Sequence, residues 1–279
     1  MNRRDVLKLG AVTPLAAMST PVPHPVYEQY IPLMTLPVGG PAGLGVGAPW
    51  QSADDIPAML ERLNPAWWYD WRFECTGSPG YVPMIWSDNL FAQNFDAIES
   101  LIMRWPEQFW LLWNEPEQER QANMTPERAA QLTGDIAGSY GLNYAAPGVS
   151  LTRAGYEWLD AYMAAGGPVP PVWHIHIYDT LTPSTWSQKW ALWRGWMREN
   201  GCERPTIVSE TNGWSEGTYG QQRMVEHMAT MLETDDLLRA VAWFATRWQA
   251  WGVGTPDLLN EAGDPTSVGW TFAEVRNGR

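Results

Sequence analysis

From about residue 43 onward, short apolar runs rich in β-branched and aromatic residues alternate with longer stretches of helical periodicity. The runs fall at 44–48, 67–73, 81–86, 109–114, 143–147, 172–178, 206–210 and 240–246, and each reads as a strand. Residues 53–63 and 90–104 space their apolar positions as amphipathic helices do. Thr125-Pro126-Glu127 predicts a helix start: a hydroxyl cap, a proline at the first helical position and early negative charge. Helices are also predicted over 156–165, 186–200 and 221–234, with Gly201 closing the second of these. Strand–helix alternation of this kind predicts an α/β fold, a single (β/α)8 TIM barrel spanning 43–279. A doubly wound open sheet fits less well, because GLGVGAPW after the first run lacks the third glycine and the immediate helix start of a phosphate fingerprint.

Two segments precede the alternation. Residues 1–18 place Arg3-Arg4 ahead of a short apolar run, in the pattern of a twin-arginine-type signal, and that predicts a secreted or periplasmic protein. The run is too short to span a bilayer, and no membrane span is expected elsewhere. Residues 19–42 are rich in proline and glycine and read as a linker and entry loop.

Composition narrows the function. With 45% hydrophobic and 18% charged residues the chain can bury a large core. A net charge of −13 disfavours nucleic acid and anionic membrane surfaces as partners. Nineteen tryptophans against six phenylalanines exceed what bulk packing needs, so some indoles are expected to face outward, where a sugar ring's C–H face would suit them. Cys75 and Cys202 fall at opposite ends of their strands and are expected to be free thiols.

Strand ends carry the candidate chemistry, because functional residues of a parallel barrel lie at the C-terminal ends of its strands. FWLLWNEPEQ (109–118) ends an apolar run in Asn114-Glu115-Pro116, and PTIVSE (205–210) ends in Glu210. By period two, Thr206, Val208 and Glu210 share a face and Ser209 points the other way. Two carboxylates about 5–5.5 Å apart are what retaining glycoside hydrolysis requires, one as acid/base and one as nucleophile. Strict alternation cannot turn Asn114 and Glu115 both into one mouth, so a bulge or a strand end is expected there.

These residues also carry a family resemblance. NEPEQERQANMTPERAAQL (114–132), with WWYDW (67–71), YVPMIW (81–86), AAPGVS (145–150), HIY (176–178) and VSE (208–210) in the same order, resembles glycoside hydrolase family 128 of clan A, whose characterised members are endo-β-1,3-glucanases. The resemblance covers about residues 50–250. It implies a retaining hydrolase of β-glucan, most naturally β-1,3-linked. Glu115 would be the acid/base, Glu210 the nucleophile, and Asn114 the partner of the sugar 2-OH. His176 and Tyr178 match the family's sugar-binding pair. The resemblance implies no cofactor and a polysaccharide or oligosaccharide partner, and a monomer is expected. Asp70 departs from it, since the family usually has Asn between the Tyr and the Trp. An anion there would raise the pKa of a neighbouring carboxylate or alter sugar preference.

His174, His176 and Tyr178 share a strand face. H-x-H invites a metal reading, but only four histidines exist, with His24 in the linker and His227 on an outer helix, so a metal centre would be short of ligands. His174 reads as a core histidine, and Tyr178 as a donor that keeps Glu210 ionised. Trp105, Trp110, Trp158, Trp190, Trp193 and Trp196 read as packing residues. Tyr69, Trp71, Trp86, Trp113, Trp214 and Trp243 lie at or near strand ends, and most are expected to line a cleft. A glycan-binding barrel without turnover is the alternative from another class. Expected pKa tuning places Glu115 in an apolar surround and hydrogen-bond donors around Glu210.

Overall fold

The computed structural model describes residues 41–49, 56–74, 77–178, 182–213, 217–247 and 256–278, all within one unit, Met34–Arg279. The segment 1–18, nearly all of 19–42, Cys75 and Trp214 lie outside the described residues.

Among the described residues nine strands run in the order β1 (Gly43–Gly47), β2 (Trp68–Tyr69), β3 (Met84–Ile85), β4 (Phe109–Leu112), β5 (Asn143–Ala145), β6 (Val149–Ser150), β7 (Trp173–Ile177), β8 (Thr206–Thr211) and β9 (Leu238–Phe244). All pairings between them are parallel. They form a six-stranded sheet, β2-β1-β9-β8-β7-β6, and a three-stranded sheet, β3-β4-β5. The expected barrel is therefore met as an α/β fold with parallel strands, not as one closed eight-stranded sheet. β2, β3, β4, β5 and β7 are shorter than the apolar runs suggested, and β6 lies just beyond the 143–147 run, where no strand was expected. Among the described residues the isolated parallel bridges Trp68↔Tyr81, Ala145↔Val172 and Asn114↔Gly148 link the two sheets.

Helices intervene between most strands. α1 (Ile56–Ala58) continues into a wider-wound turn, Met59–Leu63. The single helix expected over 90–104 is two, α2 (Asp88–Gln93) and α3 (Phe95–Arg104). Asn94 separates them at φ −120° and ψ 22°, with its side-chain amide donating to the Leu90 carbonyl. Such local side-chain bonding competes with the helical ladder. α4 (Pro126–Tyr140) starts as predicted, Thr125 accepting from the Arg128 N–H. α5 (Arg153–Ala164), α6 (Pro183–Glu199) and α7 (Gly217–Thr234) follow, and α8 (Ser267–Arg276) lies where no periodic signal pointed. Threonine caps start α5, α6 and α8, and Thr182 with Thr185 makes a reciprocal capping box on α6. Among the described residues no helix is long and apolar enough to cross a membrane.

Two apolar layers result. One face of the strands packs on the helices. The other forms a second cluster drawn from both sheets, including Trp67, Tyr69, Met84, Phe109, Leu111, Ile207, Ala240 and Ala242. Small residues on that face make room for the large ones: a Cβ on Gly45 would come within 2.4 Å of the Trp67 Nε1. Most indoles serve the helix-facing layer. Trp193 donates to Thr206, Trp186 to Thr211, Trp190 to Asp235 and Trp196 to Asp160. The tryptophan excess is thus chiefly a packing device most of whose polar tips are satisfied. The buried Trp110 Nε1 is without a partner among the described residues, and Trp105 and Trp270 are the exposed exceptions among the described residues. Cys202 is a buried free thiol.

Candidate active site

At the end of β4 the chain abandons strand geometry. Trp113 takes a left-handed φ of 60°, and Glu115 one of 43°. Left-handed backbone at a non-glycine residue costs on the order of 1–3 kcal/mol and persists only where neighbours enforce it. Here Gly148 does so: its N–H donates to the Trp113 carbonyl at 2.8 Å, and its carbonyl accepts the Glu115 N–H at 2.7 Å. A Cβ on Gly148 would lie 2.9 Å from the Trp113 oxygen and 2.6 Å from the His174 ring, so the close approach requires glycine. Of the bulge or strand end expected at Asn114-Glu115, the strand end is what is found, two residues early, after Leu112. It also overturns the expectation for Trp113. The left-handed turn sends that indole into the helix-facing core, where it is fully buried and donates to Thr133 at 2.7 Å.

β8 solves a similar problem with a bulge. Ile175 pairs with Val208, but His176 pairs with Glu210, leaving Ser209 as the extra residue. Val208 packs on the helices and Thr206 accepts from the helix residue Trp193. The extra residue shifts the phase, so Ser209 and Glu210 both reach the side of the sheet that carries His174 and His176. Ser209 Oγ lies 2.5 Å from His174 Nε2. The expected common face for Thr206, Val208 and Glu210 is accordingly replaced, since alternation does not survive a bulge.

These two irregularities bring the carboxylates together. A carboxylate oxygen of Glu115, one of Glu210 and a ring nitrogen of His176 all lie within 4.8 Å of one another. His176, on the strand between them, turns Nδ1 to Glu115 Oε1 at 3.1 Å and Nε2 toward Glu210 Oε1 at 3.6 Å. Glu210 accepts from the Trp71 indole N–H at 2.7 Å on Oε1 and from the Tyr178 hydroxyl at 2.5 Å on Oε2. Ser150 donates its hydroxyl to Glu115 Oε1 at 2.5 Å and its backbone N–H to Glu117 at 2.9 Å. All three central groups are buried.

Burial pushes the Glu210 carboxyl up, and the nearby Glu115 charge adds to this; His176, Tyr178 and Trp71 pull the other way without overcoming it. Burial also raises Glu115, but bonds from His176 and Ser150, with the His176 charge, outweigh it and hold that carboxyl below its ordinary value. Burial lowers His176, yet the two glutamates win and push it up to about 9. The donors expected around Glu210 are present. The apolar surround expected for Glu115 is not, because Ser150 and His176 make that side polar as well. The same three groups have the ligand types of a divalent-cation site. A cation bound there would have to displace the proton that the two glutamates favour on His176. His174, the other half of H-x-H, is fully buried, held neutral by burial and bonded to Ser209.

The family described as glycosyl hydrolase catalytic core matches residues 47–272. The chain belongs to that family. Solved structures agree with this glycosyl hydrolase assignment and with the resemblance to family 128. An endo-β-1,3-glucanase of that family from Pseudomonas viridiflava is 26% identical, with 85% of this chain and 97% of that one covered and a TM-score of 0.64. One from Amycolatopsis mediterranei shares 22% identity over 83% and 99% of the two chains, with a TM-score of 0.67. An exo-β-1,3-glucanase from Aureobasidium namibiae shares 19% identity over 85% and 96%, again with a TM-score of 0.67. No curated protein matches the sequence.

Within this glycosyl hydrolase, the aromatic positions sort by strand parity. Trp71 and Trp86 are half-buried against the strand-only cluster, and Tyr69 is fully buried within it, its hydroxyl donating to the Ser209 carbonyl at 2.8 Å. Trp243 faces the helices, fully buried, and donates to the Pro256 carbonyl; its expected place is taken by the next residue. Phe244 meets Trp71 with ring centres 5.5 Å apart and Tyr178 at 6.1 Å. Trp214 lies outside the described residues. Asn114 is buried and donates to Gln121 at 3.3 Å, while its Oδ1 has no partner among the described residues. Two participants escaped sequence reasoning. Phe244 stood next to Trp243, which was expected in its place, and Ser150 stood inside the segment AAPGVS with no chemical signature of its own.

Proposed function

We propose that this glycosyl hydrolase cleaves β-glucan, most naturally β-1,3-linked, with retention of configuration. The observation that carries the reading is the pairing of Glu115 and Glu210, an oxygen of each lying within 4.8 Å of the other, which suits the short carboxylate spacing of a double displacement better than the wider gap of an inverting reaction. Relatives whose names state β-1,3-glucanase activity support the substrate class.

Glu210 acts as the nucleophile. Trp71 and Tyr178 occupy both its oxygens and fix the carboxylate plane before substrate arrives. Attack on the anomeric carbon forms a glycosyl ester as Glu115 gives its proton to the departing glycosidic oxygen. Glu115 then takes a proton from water, which hydrolyses the ester and frees Glu210. Two carboxylates this close share one proton, so the active arrangement is one tautomer of a singly protonated pair. A glycosidic oxygen beside Glu115 selects that tautomer by giving its proton an acceptor, and positive charge developing at the anomeric carbon favours an ionised Glu210. His176 balances the pair's charge from between. Asn114, with its open Oδ1, is the partner of the 2-OH, and Trp71, Trp86 and Phe244 offer faces to sugar rings.

The bridges Trp68↔Tyr81 and Ala145↔Val172, together with the apolar cluster common to both sheets, favour a single (β/α)8 barrel. Export through the Arg3-Arg4 segment and a monomeric state belong to the same reading. Reducing-end release from laminarin tests the activity. Wild type should release sugar, and Glu210→Gln and Glu115→Gln should each lose at least about a thousandfold in kcat. Binding without release by wild type would make the protein a glycan-binding barrel instead.

A further inference from the structure

Asp70 stands at the one position of its motif that departs from the family pattern, and its surroundings have no direct part in the chemistry above. It is fully buried. Its Oδ2 accepts from Arg72 Nε at 2.8 Å and Nη2 at 2.5 Å. Its Oδ1 accepts the Arg72 backbone N–H at 3.2 Å, which closes a side-chain-to-backbone turn over the single residue between them. The Tyr81 hydroxyl lies between Asp70 Oδ1, at 2.6 Å, and the Arg72 carbonyl, at 2.7 Å. That carbonyl also accepts the Met84 N–H at 2.7 Å, which ties the turn to β3. Every acceptor of the carboxylate is engaged, so the anion expected to perturb a neighbouring carboxylate is instead spent on its own arginine.

The residue inside the turn is Trp71, held at a φ of 63°. A bulky side chain takes that conformation only where surrounding bonds impose it. The reward is the direction of the indole. It lies over Gly47, where a Cβ would come within 3.0 Å of the ring, and packs between Tyr69, with centres 4.7 Å apart, and Phe244. From there its N–H reaches Glu210 Oε1 at 2.7 Å.

We infer that Asp70 is a positioning residue: with Arg72 and Tyr81 it clamps the left-handed turn that aims the Trp71 indole N–H at the Glu210 carboxylate. This rests on the reading of Glu210 as nucleophile. An asparagine at 70 would present an N–H group either to the guanidinium or to the Arg72 backbone N–H. Each choice sets donor against donor, and the turn loosens.

Asp70→Asn, Trp71→Phe and the double variant form a cycle that tests this. Asp70→Asn should lower kcat/KM on the order of tenfold to a hundredfold with KM little changed, as a small misplacement of a reacting group does. It should also move the basic limb of the pH profile upward, because Glu210 without its indole donor holds its proton longer. In the Trp71→Phe background, adding Asp70→Asn should do neither. The Trp71 indole resonance, assigned by its loss in Trp71→Phe, should shift in Asp70→Asn toward the position of an unbonded indole. If Asp70→Asn fails to fold, Tyr81→Phe opens the clamp from the other side and should give the same shift. A lower melting temperature with kcat/KM and the resonance unchanged would overturn the inference, as would an undiminished loss in the Trp71→Phe background. Full activity in Glu210→Gln would instead sink the nucleophile reading, and the resonance would still decide whether Asp70 aims the indole.

Discussion

Three side chains set the charge at the centre of this site. His176 gains both glutamates as neighbours and titrates near 9 against about 6.5 when unfolded. Its raised pKa contributes stability that is fully present below about pH 6.5 and disappears as pH rises through about 9, on the order of 3 kcal/mol in all. The melting temperature of wild type should therefore fall between about pH 7 and about pH 10 more steeply than that of His176→Gln; parallel curves would contradict the ion pair. The carboxylates titrate as a pair. With Glu115 held below and Glu210 above the ordinary glutamate value, kcat/KM should trace a bell. Its acidic limb should lie below about 4.3, where the pair takes a second proton, and its basic limb above that value, where the shared proton leaves. Both limbs on the same side of the ordinary value would contradict the opposite shifts of the two carboxyls. Glu115, Glu210, His176 and Tyr178 were legible because strand ends and period two identify them. Their polar neighbour Ser150 was not, since a serine beside a strand end looks the same whether it bonds a carboxylate or water.

At the scale of elements, alternation read β7 correctly: His174, His176 and Tyr178 fall on one side and Trp173 and Ile175 on the other. It failed at β4 and β8 for a common reason. Each strand delivers two consecutive residues to the site, which a pleated strand cannot do, so a left-handed turn or a bulge supplies the extra half-period. Trp113 lost its expected place in the cleft to that turn. Helix ends were read more closely than starts: those expected at 104 and 234 match, and those at 165 and 200 miss by one residue. The starts expected at 156, 186 and 221 fall three or four residues late, because only the Thr125 cap was recognised as a start. Thr182 caps the 17-residue α6 in a capping box, so Thr182→Ala should cost about 1 kcal/mol and lower the melting temperature by about 2–4 °C. That can be followed by calorimetry, and an unchanged melting temperature would mean that packing alone holds the helix end. The helix α8 escaped notice because its low amphipathicity left no period to detect: Trp270 is exposed while Val268, Phe272 and Ala273 are buried.

Over the whole molecule, parallel strands wrap a second apolar cluster common to both sheets, and the carboxylate pair sits at their C-terminal ends. That placement was foreseeable from strand–helix alternation; the separation into two hydrogen-bonded sheets was not, since it depends on strands only two residues long. The central claim is that Glu210 forms the covalent bond while Glu115 moves the proton. Azide rescue separates these roles by product stereochemistry. With an activated β-glucoside and azide, Glu210→Gly should yield the α-glycosyl azide and Glu115→Gly the β-glycosyl azide, each identified by its anomeric proton coupling. The reverse pairing, or a β-azide from both variants, would contradict the account.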